Sequence, residues 1–198
     1  SVVVKATDKN SGSNKSVTMT IVINPKALTV TASNQSKEYD GTALTVNSVT
    51  VEGDGFVEGE GATFTVTGSQ TLPGMSKNNF DYALNAGTNE NNYTIARVEG
   101  VLIVLNRTEK YEITVEAKSG TYTYDGTEKT VNGFKKETFK VDGKDYTVSG
   151  LTANVKATNA GTYDVVVTGT AKVTDAAGNN VTSEFNVSTI HGKLIINK

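Results

Sequence analysis

The chain repeats itself at a fixed spacing, and this limits its fold more than any other feature. Leu28-Thr29-Val30 runs on to Tyr39-Asp40-Gly41-Thr42, and Ile113-Thr114-Val115 runs on to Tyr124-Asp125-Gly126-Thr127, with one constant offset between matched positions. Ala32 matches Ala117, and Thr45-Val46-Asn47 matches Thr130-Val131-Asn132 at that same offset. The closing segments match as well. Tyr93-Thr94-Ile95 with Gly100-Val101-Leu102-Ile103-Val104 corresponds to Phe185-Asn186-Val187 with Gly192-Lys193-Leu194-Ile195-Ile196, here at an offset seven residues longer. The second copy therefore carries a net insertion of seven residues, which is expected in surface loops. Self-similarity at this period means an array of like units, each closing its own core.

A third, partial copy opens the chain. Thr20-Ile21-Val22-Ile23-Asn24-Pro25 is similar to Leu102-Ile103-Val104-Leu105-Asn106-Arg107 and to Leu194-Ile195-Ile196-Asn197-Lys198. Val2 to Thr7 and Val17 to Ile23 flank a polar turn from Asp8 to Asn14, which predicts a hairpin. The expected organisation is residues 1–25 as the closing hairpin of a preceding module, 26–107 as a first module and 108–198 as a second.

Strand chemistry dominates both copies. Tyr111 to Ala117 alternates with period two, and turns such as Asp54-Gly55, Asp142-Gly143 and Gly178-Asn179-Asn180 recur at short spacing. No convincing helix pattern is present. The fold class this predicts is all-β: two tandem antiparallel β-sandwich (Ig-like) modules in an elongated arrangement, with β-grasp-like modules as the alternative. Tyr39, Phe64, Tyr82, Tyr93, Tyr124, Tyr163 and Phe185 are the expected aromatic anchors. The joint Asn106-Arg107-Thr108-Glu109-Lys110 lacks the Gly/Ser run of a flexible tether and is expected to leave little angular freedom.

Composition excludes several functions. With 19 basic and 21 acidic residues the formal charge is −2, and no basic stripe exists to track a phosphate backbone. There is no cysteine, so disulfides and thiolate metal sites are ruled out. No apolar run approaches the ~20 residues of a membrane-spanning helix. No signal peptide opens the chain, so the targeting and anchoring segments of an exported protein are expected outside this piece.

Tyr39-Asp40-Gly41 and Tyr124-Asp125-Gly126 form the strongest repeated motif. Two readings compete: a carbohydrate platform of Tyr face and Asp acceptor, or a turn in which Asp bonds its own backbone and Gly takes positive φ. Repetition in every copy favours the turn. Other constellations are weaker. Asp8, Asn10, Gly12 and Asn14 mimic a calcium loop, but Met19 stands at the twelfth position; Asp175 with Asn179 and Asn180 is similar. A Lys118–Asn197 isopeptide beside Glu116 or Glu184 is conceivable only in the second copy. The single histidine, His191, has Glu99 as its counterpart, which argues against a shared nucleophilic site. The pairs Glu52/Asp54 and Glu58/Glu60 sit in a Gly-rich turn with no apolar wall. No catalytic, cofactor or metal residue is expected, and the chain is not expected to be an enzyme.

Together, Tyr-Asp-Gly-Thr, then Thr67-Gly68-Ser69-Gln70-Thr71 with Gly74, Asn79 and Tyr82, then Asn92-Tyr93-Thr94-Ile95 with Gly100-x-Leu102-x-Val104, resemble the YDG/MBG-type repeats of bacterial cell-surface proteins and adhesins. Residues 1–25 are more similar to the closing hairpin of a bacterial Ig-like domain. The resemblance implies export and tandem display at a bacterial surface or cell wall, each chain being a monomer within a longer array. Three functions follow as expectations: a stalk that displays a distal binding region, a module that itself binds host glycan or extracellular protein, and an accessory domain of a secreted glycosidase. The adhesive reading places its patch on the insertion or on the Phe56/Glu58/Glu60 loop.

Overall fold

The computed structural model describes residues 2–7, 10–11 and 14–198, with side chains described at Asn10, at Ser11 and from Thr20 onward. The described residues form nineteen strands and two short 3-10 turns, with no α-helix. They divide into two compact units. One comprises Ser1–Asn34, Val46–Gly68 and Lys77–Val101; the other comprises Gln35–Thr45, Ser69–Ser76 and Leu102–Lys198.

In the first unit Val2–Thr7 and Asn14–Met19 pair antiparallel as a hairpin. Strand Lys26–Ala32 is central to a three-stranded sheet, antiparallel to Val49–Gly53 and parallel to Tyr93–Val98. Its alternation has a direct cause. Leu28, Val30 and Ala32 point to one face and are buried, while threonines fill the other. Phe80 and Tyr93 complete that core, and Phe56, Phe64, Val66, Tyr82 and Ile95 pack around it. Ala62–Val66 and Phe80–Leu84 form a separate antiparallel pair, with Phe64 edge-on to Phe80 at 6.3 Å between centroids.

The second unit holds the whole second repeat. Tyr111–Glu116 pairs parallel with Phe185–Ile190, and Gly120–Thr123 pairs parallel with Gly192–Asn197. Gly161–Val165 lies antiparallel on the far side of Gly192–Asn197. Lys144–Ala157 pairs antiparallel with Lys129–Asn132, Thr138–Val141 and Val167–Asp175. Asp142 and Gly143, both at positive φ, make the tight turn that joins Thr138–Val141 to it. This is the primed geometry that matches strand twist.

The all-β, sandwich-like class is what the chain adopts, but the pairing is mixed rather than purely antiparallel. Each repeat sends two bent strands along each other in the same direction. In the second repeat Tyr111 faces Phe185 before the bend and Gly120 faces Leu194 after it, with the same sequence separation on both sides. In the first repeat Lys26 faces Tyr93 and Gln35 faces Leu102, again at one unchanged separation. The register thus survives the bend in both copies. Period-two burial looks the same for a parallel as for an antiparallel neighbour, so the sequence pattern carries no sign of this. Parallel pairing of first and last strands is the trait the β-grasp alternative shares, but no α-helix crosses any sheet among the described residues.

Close approach at the bend requires glycine. A Cβ on Gly192 would lie 2.0 Å from the Lys118 carbonyl oxygen, and one on Gly100 would lie 2.2 Å from that of Ser33. A side-chain oxygen caps the residue after each glycine: Val101 N donates to Asn34 Oδ1 at 2.7 Å, and Lys193 N donates to Ser119 Oγ at 3.0 Å.

The seven extra residues do not form a surface loop. The five-residue strands Ala62–Val66 and Phe80–Leu84 give way instead to strands of fourteen and nine residues. The register shifts once, between Ser149 and Leu151, where Gly150 and Gly169 approach each other with positive φ. The chain also changes sheets after Gly161–Val165. That strand ends before Val166, and Val167 starts pairing in another sheet, its N–H held by His191 Nδ1 at 2.9 Å.

Candidate functional site: the Tyr-Asp-Gly turns and the repeat joint

The two Tyr-Asp-Gly turns are built alike. Tyr39 N donates to Leu105 O at 2.9 Å, and Tyr124 N donates to Asn197 O at 2.8 Å, tying each turn to the last strand of its repeat. Asp40 Oδ1 accepts from Thr42 N (2.8 Å) and Thr42 Oγ1 (2.6 Å). Asp125 Oδ1 accepts the same pair from Thr127, at 2.9 Å and 2.6 Å. Gly41 and Gly126 take φ of 69° and 78°. A cation closes each turn from a different side: Lys37 Nζ reaches Asp40 at 2.8 Å, and Lys129 Nζ reaches Asp125 at 2.5 Å. Position 37 corresponds to Tyr122 and position 129 to Leu44, so the lysine has changed places while its partner has not.

These contacts set the acidity of both carboxyls. Burial works to raise the Asp40 pKa, but the Lys37 ammonium and the Thr42 donors outweigh it and hold it at about 2, against an ordinary 3.8. Asp125 is held well below the carboxylate range, first by Lys129 and then by Thr127. A depressed native pKa contributes stability above the unfolded pKa, and that contribution is lost as pH falls through the native one. The thermal midpoint is therefore expected to fall steeply between about pH 4 and pH 2. In a chain carrying Asp40→Asn and Asp125→Asn this part of the curve should flatten; an unchanged slope would show that the turns contribute nothing.

What differs between the turns is their cover. Tyr39 is 1 % exposed and Tyr124 is 51 % exposed. Within the second unit Tyr39 inserts among residues of the second repeat. Burial first, then the neighbouring Tyr146 hydroxyl, pushes its pKa up. A Cβ on Gly41 would lie 2.8 Å from both Tyr146 Oη and Lys144 Cδ. Nothing lies within 4 Å of the same point on Gly126. Tyr124 is thus not the anchor expected of it: a ring whose repeat offers it no core is buried only by a neighbour.

Arg107 locks the joint. Its Nη1 donates to Tyr39 O at 3.1 Å and to Tyr111 Oη at 3.2 Å. Its guanidinium lies 3.9 Å from the Tyr111 ring centroid, within cation–π range. Its backbone N–H donates to Glu184 Oε2 at 2.7 Å, while Ser183 Oγ donates to Glu184 Oε1 at 2.6 Å. Glu184 is fully buried, and this N–H is what its Oε2 is given. Thr108 Oγ1 adds a 2.6 Å bond to Glu38, drawing that carboxyl's pKa down. In the first unit the same two places hold Pro25, which has no N–H, and Asn92, which has no charge; both border one shallow hollow.

The other candidates resolve into local structure. Asp175 Oδ1 accepts from Ala177 N and Asn179 N, and its Oδ2 from Asn179 Nδ2, so backbone and amide donors fill it as a turn. Asp8 and Gly12 of the other calcium-like loop lie outside the described residues. Among the described residues no group of three or more His, Cys, Asp or Glu is arranged to hold a metal, and no helix is long and apolar enough to cross a membrane. Lys118 sits against Gly192, at the opposite end of an extended strand from Asn197. A strand of that length separates them far beyond covalent reach. The conceivable isopeptide pair is therefore not brought together, and Glu116 is taken by Lys135. Glu60 accepts from Tyr93 Oη and Phe56 packs on the Tyr93 ring at 5.0 Å, while Val57 and Glu58 of the same loop are exposed.

Sequence reasoning missed Phe80, Tyr146 and Asn78, and it did not connect Arg107 with Glu184. Asn78 is fully buried and its Nδ2 bridges the Ser33 and Val46 carbonyls at 2.9 Å and 3.1 Å. Val165 is its counterpart in the second repeat, counted from Gly161 as Asn78 is from Gly74, and a lone polar position of this kind leaves no repeated signal. Pro25 aligned with Arg107 is the one available hint of the joint.

Residues 28–103 match the model of a known family, the MBG domain (YGX type). No curated protein matches the chain.

Proposed function

We propose, from the match of residues 28–103 to the YGX-type MBG domain family, that this chain is a force-bearing spacer of a bacterial surface protein that displays a distal binding region. The family suggests a repeat module of surface proteins. The role in tension is argued from strand direction.

The chain enters the second repeat at Tyr111 and leaves it at Asn197. These are opposite ends of two parallel ladders, Tyr111–Glu116 on Phe185–Ile190 and Gly120–Thr123 on Gly192–Asn197. Tension between the entry and exit points slides one strand along the other. Six register pairs in one ladder and four in the other then resist together, instead of opening one after another. Forced unfolding is governed by the barrier to leaving the native state, so shared loading raises the force needed.

The residues with chemical potential serve the same end. His191 Nδ1 accepts a backbone N–H, and both motif aspartates are engaged by their own turns and lysines. This favours a structural over a catalytic role. Direct glycan or protein binding has one observation in its favour, the exposed Tyr122 and Tyr124, but that face matches the one the second repeat covers at Tyr39.

The chain has no cysteine, so handles can be placed at will. Pulling between Lys110→Cys and Lys198→Cys shears the ladders, whereas pulling between Lys110→Cys and Ser183→Cys peels them from one end. The shearing pair is expected to require a force severalfold higher in single-molecule extension. Equal forces would remove the basis for a tension-bearing role.

A further inference from the structure

We propose that the Tyr124-Asp125-Gly126 face is a docking site for a further repeat of the same type joined after Lys198, seated as the second repeat is seated on Tyr39-Asp40-Gly41. The inference rests on the repeat organisation and is independent of whether the chain bears tension.

Three observations carry it. First, the open turn is already in the docked conformation. Its Asp–Thr bonds are 2.9 Å and 2.6 Å, against 2.8 Å and 2.6 Å in the covered turn. Its glycine φ is 78° against 69°, and the tie to the last strand is the same. No rearrangement is needed on that side, so docking requires little ordering. Secondly, the open face keeps the tyrosine and the glycine that the covered one uses. Tyr124 and Tyr122 are both exposed, and Gly126 leaves free the space that Tyr146 Oη and Lys144 Cδ take over Gly41. Thirdly, the covered turn shows where the partner must come from. Arg107 bonds Tyr39 O from a position two residues beyond Leu105, the residue that holds Tyr39 N. The residue that holds Tyr124 N is Asn197. A repeat that continues from that strand as residues 107–198 continue from Asn106 places its arginine at the same spot.

The occupant is therefore a YGX-type repeat with arginine at the position of Arg107 and tyrosine at that of Tyr146. A free second copy of this chain is a poor substitute, because its own Tyr146 is already covered by its own Tyr39.

The test is tyrosine nitration by tetranitromethane, followed residue by residue by peptide mass spectrometry. It compares the chain with a version in which residues 107–198 are repeated after Lys198. In the chain itself Tyr39 is expected to react about tenfold more slowly than Tyr124, as a docked ring reacts only through rare opening. Equal rates overturn the proposal even if the extended chain does not fold. In the extended chain Tyr124 is expected to slow by about the same factor, and Tyr146→Ala in the appended repeat is expected to restore its reactivity. Tyr124 that stays reactive, or that stays protected despite the Tyr146→Ala change, overturns the proposal. Protection of Tyr124 by an added free copy also overturns it, because the face would then serve association between chains.

Discussion

Alanine at Gly192 is expected to destabilise the second repeat by about 3 kcal/mol or more, at or above the upper end for overpacked sites. The added carbon would sit 2.0 Å from the Lys118 carbonyl oxygen and 2.9 Å from its carbon. Neither atom belongs to a flexible side chain that can swing away. Relief must come from separating Gly120–Thr123 and Gly192–Asn197 near the bend, where Ser119 Oγ also caps Lys193 N. Gly126→Ala is the useful contrast. Its backbone is left-handed at φ 78°, but nothing lies within 4 Å of the new carbon. About 1–2 kcal/mol of conformational strain is the whole expected loss there. Urea titration followed by far-ultraviolet circular dichroism separates the two through their midpoints. A Gly192→Ala chain no weaker than Gly126→Ala would mean that the parallel strands do not approach as described.

Tyr39→Ala is expected to cost about 3–5 kcal/mol, as for other large aromatic truncations in packed sites. The change empties the space that Tyr39 shares with Tyr146. It also removes the ring beside the backbone carbonyl that Arg107 binds. Tyr124→Ala, the same change at the equivalent position, is expected to cost less than about 1 kcal/mol, because the ring is half in solvent. The pair is informative because composition, local sequence and turn geometry are held constant and only the neighbour differs. Similar losses at both positions in chemical denaturation would contradict the asymmetric burial on which the docking proposal stands.

Much of the fold can be read from the residues. Alternation in Leu28 to Ala32 and in Tyr111 to Ala117 marks buried faces that the structure confirms. Asp142-Gly143 marks a hairpin turn, and Tyr-Asp-Gly-Thr marks a self-bonded turn because Asp, Gly and Thr act on their own backbone. Each of these signals is local, which is why it survives in one dimension. The features that are not legible depend on partners distant in the chain. Whether Lys26–Ala32 runs with or against Tyr93–Val98 leaves no trace in which residues are apolar. Tyr39 and Tyr124 carry the same four-residue motif, yet one is core and the other surface, because the second repeat covers only the first. In the sequence Glu184 stands out only as a carboxylate that could attend a Lys118–Asn197 pair, not as the acceptor of the joint. Its burial follows from the backbone N–H of Arg107, seventy-seven positions earlier, and backbone donors are invisible in a sequence unless proline removes them.

That last pairing bears on how such arrays change over generations. Arg107 meets a buried carboxylate at Glu184, whereas Pro25 lies beside the neutral Asn92. Recombination between like repeats would exchange these segments freely if only the folds had to match. A crossover that set a proline against the buried Glu184 would leave its carboxyl without the backbone donor, a loss of about 1–3 kcal/mol. The order of repeats is in this sense constrained at their junctions, since an exchange that parts Arg107 from Glu184 loses this bond.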